Sequence, residues 1–60
     1  MSANDEFNKI PLSTLSEILT AVDQELINYA YSEGDRVKQL KFAAAECHVA
    51  SALTIIEALR

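Results

Sequence analysis

The sequence predicts an all-α fold: a two-helix antiparallel hairpin that dimerises into a four-helix bundle. Three observations carry this prediction. Leu15, Leu19, Val22, Leu26 and Tyr29 recur at spacings of 4, 3, 4 and 3, the seam of an amphipathic helix rather than the alternation of a strand. Gly34 and Asp35 then interrupt the pattern. Beyond them, Arg36 to Arg60 contains neither proline nor glycine and carries more apolar surface than one partner helix can cover.

The elements follow in chain order. Residues 1–13 read as a loosely ordered arm, largely polar in its first ten residues. Pro11 holds its own φ and biases Ile10 away from helix. Thr14 with Glu17 three residues later fits a capping box, with Ser13 competing for the cap. The first helix is expected over about 14–33, its seam broadened by Ile18 and Ala30, with Glu17, Gln24 and Asn28 opposite. Gly34, the single glycine, is expected in the left-handed conformation that ends many helices. Asp35 is a favourable N-cap for the next helix. A turn of two residues, 34–35, makes the helices antiparallel neighbours.

The second helix, about 36–60, has two apolar stripes when its residues are placed at about 100° each. Val37, Leu40, Ala44, Cys47, His48, Ser51, Ile55, Ala58 and Leu59 form one. This stripe is expected to face helix one, with Tyr29 opposite Leu40, Leu26 opposite Ala44, Val22 opposite Cys47 or His48, and Leu15 opposite Ile55. The second stripe, Phe42, Ala45, Val49, Ala52, Leu53 and Ile56, is then the expected dimer interface. Its alternating alanines let two helix backbones approach closely about a two-fold axis.

Size and composition point the same way. A chain of 60 residues buries only roughly 60% of the surface its unfolded form exposes and usually needs a staple. One cysteine excludes an intramolecular disulfide, and one histidine with one cysteine cannot make a four-ligand zinc site in a protomer. With 50% hydrophobic residues, self-association is the remaining staple, and a homodimer is expected. Five basic residues against nine acidic ones give a net charge of −4, which disfavours a phosphate backbone and suits a protein partner. MSANDEFNK lacks the features of a signal peptide, and no run approaches the ~20 apolar residues of a membrane span. The expectation is a soluble, small acidic protein in a reducing cytoplasm, with Cys47 a free thiol.

Several residues invite a functional reading. Cys47 and His48 are adjacent, so on a helix they point about 100° apart and cannot form a nucleophile–base dyad in one protomer. Cys47 is expected in the core. His48 is expected on the inner stripe near Asp23 and Glu25, as a bonded imidazole or a pH-sensitive contact. Arg36, Lys38 and Lys41 hold three of the five basic residues and form a candidate anion contact or a solvated turn. Thr20, Ile27 and Tyr31 lie off the seam of helix one and form a candidate partner surface. No Ser-His-acid set, paired carboxylates in a cleft or phosphate-cradling glycine loop is visible. No catalytic, cofactor or metal site is predicted, and no enzymatic activity. The expected function is that of a small adaptor or regulator acting by protein–protein interaction and self-association.

Over residues 14–60 the architecture resembles the two-helix-hairpin dimers typified by the plasmid copy-number regulator Rop, in length, acidity and short turn but without a shared motif. The resemblance implies RNA binding through a local basic face, which here would be Arg36, Lys38 and Lys41. A small RNA- or DNA-binding regulator is therefore the alternative function.

Overall fold

The computed structural model describes residues 9–60. They form two packed helices, α1 (Leu12–Ser32) and α2 (Arg36–Leu59). The first eight residues of the expected arm lie outside the described residues, while Leu12 and Ser13 belong to α1 rather than to an arm. The helices are antiparallel, since Ser16 near the start of α1 bonds Glu57 near the end of α2, and Gln39 bonds Ala30 beside the turn.

α1 starts earlier than its capping signals indicate. Pro11 is extended, with φ −58° and ψ 148°, and no side chain caps the helix. The Pro11 carbonyl accepts the Leu15 amide at 2.9 Å. Proline's preset φ thus begins the helix at Leu12, which moves Ser13 and Thr14 into the first turn and leaves no capping box. The exposed amides of that turn can bond water.

The turn is held by two carboxylates. Glu33 leaves the helix in an extended conformation, φ −79° and ψ 126°, and its amide donates to Tyr29 O at 3.0 Å. Its side-chain Oε1 accepts the Asp35 amide at 3.0 Å. Asp35 caps α2 as the sequence indicates, its Oδ1 accepting the amides of Val37 (2.8 Å) and Lys38 (3.2 Å). Gly34 differs from expectation. Its φ lies outside the left-handed range, and an added Cβ would meet no atom within 4 Å. The chain reverses over Glu33, Gly34 and Asp35 in a connection that does not require glycine's positive φ.

The seam between the helices runs at spacings of 3, 4, 3, 4 and 3 on both sides. On α1 it comprises Ser16, Leu19, Asp23, Leu26, Ala30 and Glu33; on α2, Gln39, Phe42, Glu46, Val49, Leu53 and Ile56. The expected α1 seam is therefore rotated. Leu19 and Leu26 keep their places, while Leu15, Val22 and Tyr29 shift to one flank.

On α2 the expected faces are exchanged. Val37, Leu40 and Ile55 are 61%, 53% and 61% exposed, and Cys47 and His48 are exposed beside them. Neither Cys47 nor His48 is a core residue, and the stripe expected against α1 points away from it. The stripe holding Phe42, Val49, Leu53 and Ile56 packs on α1 instead. Its larger side chains offer more area to bury, and Gln39 and Glu57 along it find hydrogen-bond partners on α1. The rejected stripe is filled at its centre by Ala44, Cys47, His48 and Ser51, which are small or polar.

Two substitutions check the turn. Gly34→Ala should stabilise the hairpin by about 0.4–1 kcal/mol, because alanine restricts the unfolded chain where the native φ suits it. Asp35→Ala should cost about 1 kcal/mol, the usual value of an N-cap. Urea unfolding followed by circular dichroism reads both, and a destabilising Gly34→Ala would overturn this account of the turn.

Candidate interaction faces

Residues three and four apart share a helix face, so the seam divides the hairpin into two edges of different chemistry. One edge is polar. Ser16, the only buried residue among those described at 4% exposure, donates its hydroxyl to the Glu57 carboxylate. The same Glu57 oxygen accepts from Arg60 Nη1 at 3.0 Å. At the turn end, Gln39 Nε2 donates to the Ala30 carbonyl at 3.1 Å.

Between these contacts the Asp23 and Glu46 side chains meet across the seam. Two carboxylates can only accept hydrogen bonds, so a bond between them needs a proton on one. Glu46 accordingly takes up its proton above the ordinary 4.5: the side-chain hydrogen bond with Asp23 is the main cause, followed by burial and by repulsion from the Asp23 charge. Asp23 Oδ1 is enclosed and has no hydrogen-bond partner. The seven-residue steps Ser16 to Asp23 and Gln39 to Glu46 were available in the sequence as a sign that polar residues enter the seam. The expected heptad, centred on apolar residues alone, concealed them.

Beside this pair runs an open groove of about 240 Å³, lined by Ile27, Ala30, Tyr31, Gln39, Ala43 and Glu46. The structure thus brings two of the three candidate partner residues, Ile27 and Tyr31, into one groove. Tyr31 stands out from it at 85% exposure. Thr20 is not part of its lining; its hydroxyl donates to Ser16 O of its own helix at 2.8 Å.

The other edge is apolar. Tyr29 stacks on Phe42 with ring centroids 5.3 Å apart and planes 22° from parallel. Helical spacing continues this edge through Ile18 and Val22 on α1, both exposed. On α2 it continues through Ala45, Val49, Ala52 and Ile56, of which Ala52 is exposed and the rest half-buried. Five of the six residues expected at a dimer seam (Phe42, Ala45, Val49, Leu53 and Ile56) are therefore half-covered by α1 before any second chain is present.

The basic residues do not act as one cluster. Arg36 Nη1 donates to Gln39 Oε1 at 2.9 Å, while Lys38 and Lys41 line a shallow hollow with Glu33 and Phe42. The Glu33 carboxylate dilutes any anion-attracting field there. Among the described residues, no three His, Cys, Asp or Glu side chains gather as a metal-holding group. α2 is long and apolar enough, by length and composition, to cross a membrane, which the count of consecutive apolar residues did not indicate. Its two apolar stripes supply that composition, and Glu46 and Glu57 interrupt it, each costly in hydrocarbon when charged.

The carboxyl pair yields a pH prediction. Because Glu46 holds its proton more tightly in the folded state, this contribution to stability is complete below about pH 4.5 and is lost as pH rises through the raised value. Glu46→Gln should therefore stabilise the hairpin near neutral pH, with a gain that shrinks on acidification. Thermal melts of both proteins between about pH 4 and pH 7 test this, since the difference cancels titrations they share. A gain independent of pH would refute the shared proton.

No known protein family, characterised protein or solved structure matches this chain.

Proposed function

We propose that this protein is a self-associating helical hairpin, working in the aqueous cytoplasm as a small non-enzymatic adaptor or regulator through protein–protein contacts. One observation carries the reading: among the described residues no apolar side chain is buried. Leucines and isoleucines along the seam are half-covered, and Ile18, Val22 and Tyr29 are exposed. A second hairpin laid on the apolar edge about a two-fold axis converts this half-buried row into the core of a four-helix bundle. Phe42, Ala45, Val49, Ala52, Leu53 and Ile56 then line an interface between copies. Each large side chain moved from half to full burial contributes on the order of 1 kcal/mol. The polar edge, with its carboxyl pair and groove, stays on the outside. It leaves Ile27 and Tyr31 free for another protein.

Sedimentation equilibrium at micromolar concentration tests the assembly, with a dimer expected. Ala52→Glu and Ile18→Glu place charges on residues that a lone hairpin leaves exposed, so they should dissociate the dimer while the helices persist. Leu40→Glu and Ile55→Glu, on the outer face of α2, should leave it intact. A wild type that stays monomeric and melts cooperatively would overturn the proposal. The reverse pattern of variants would move the interface to the outer face.

A further inference from the structure

We propose that the groove beside Asp23 and Glu46 receives a helix of another protein that presents a lysine or arginine within an apolar row. The inference rests on the protein-binding reading above and names the chemistry of the partner. Two facing carboxyl groups in a seam are costly when both are charged, and among the described residues no lysine or arginine pairs with them. Arg60 is engaged by Glu57 and Arg36 by Gln39. Lys38 and Lys41 line the hollow on the other edge, and Lys9 precedes α1. The enclosed Asp23 Oδ1 is an acceptor without a donor. The lining of the groove complements this deficit, with Ile27, Ala30 and Ala43 offering apolar contact around the Glu46 carboxylate.

The spacing suits a helix. Ile27 and Tyr31 are one turn apart on α1, and Gln39, Ala43 and Glu46 continue at 4 and 3 on α2, so a third helix can lie between two ridges. Tyr31 is a rigid amphipathic anchor of the kind enriched at binding hot spots. A guanidinium or ammonium in the groove donates to the Glu46 carboxylate that lines it and offsets the repulsion from Asp23 behind it, as the proton on Glu46 otherwise does. Protonation and partner binding therefore compete.

The test uses the intact protein and a set of synthetic Ala/Leu-rich helical peptides of about 15 residues, differing in the position of one arginine, read by fluorescence anisotropy near physiological salt. At least one peptide should bind, and binding should weaken on acidification through the Glu46 titration. Glu46→Gln and Tyr31→Ser should each weaken it by about tenfold or more. Glu25→Gln removes the same charge from an exposed position off the groove and should change it by less than about twofold. Equal losses from Glu25→Gln and Glu46→Gln would reduce the effect to net charge and overturn the proposal. So would a wild type that ignores every peptide, and if that protein still sediments as a dimer, self-association stands while the groove reading falls. A change in the sedimented mass of Tyr31→Ser or Glu46→Gln would instead assign the groove to a second copy of this chain and equally overturn it.

Discussion

Two helices in contact touch along a line, and a side chain on that line has a protein neighbour on one side only. The hairpin's packing follows from this constraint. The seam residues repeat in the 3–4 rhythm of a well-formed interface, yet Leu19, Leu26, Val49 and Leu53 remain half-buried, and among the described residues only Ser16 is withdrawn from water. The limit is one of geometry rather than of composition, since half the residues are hydrophobic. A third or fourth helix would supply the missing neighbours, which is why small helical scaffolds gain so much from association.

The polar contacts have a separate role. Ser16 with Glu57 and Ala30 with Gln39 tie the helices together near their two ends, and Asp23 faces Glu46 midway between them, at intervals of seven residues along α1. Apolar packing tolerates sliding by a turn, whereas these partners match in one register only. The middle pair is the weakest of the three near neutral pH because it sets acceptor against acceptor. A residue that costs stability in the hairpin is a natural place for a ligand or partner to contribute, because satisfying it recovers what folding alone leaves unmet.

α2 carries apolar residues on nearly opposite sides, and this explains two of its properties together. It is apolar enough in composition to pass for a membrane span, and it can pack on α1 while still showing Val37, Leu40 and Ile55 to solvent. The outer row is thinner in bulk, broken by Cys47, His48 and Ser51. The inner row holds the aromatic ring that stacks on Tyr29. The difference in side-chain size, more than any difference in pattern, ranks the two rows.

Sequence by itself determined the helices, the hairpin and the cap at Asp35, because periodicity, a break at Gly34-Asp35 and side-chain oxygens at a helix start are local properties. It also marked Ile27 and Tyr31 as lying off the apolar heptad. Tertiary structure decided which stripe of α2 turns inward, since that choice compares two rows against a partner surface that no local window contains. It rotated the α1 seam to admit Ser16, which gains a carboxylate partner forty-one positions away, and the same rotation brings Asp23 against Glu46, twenty-three positions away, at a cost. It removed the left-handed role expected of Gly34, because Glu33 closes the helix in an extended conformation and bonds the Asp35 amide with its own carboxylate. Spacing along one helix says which residues share a face; only the neighbouring helix decides which face is covered.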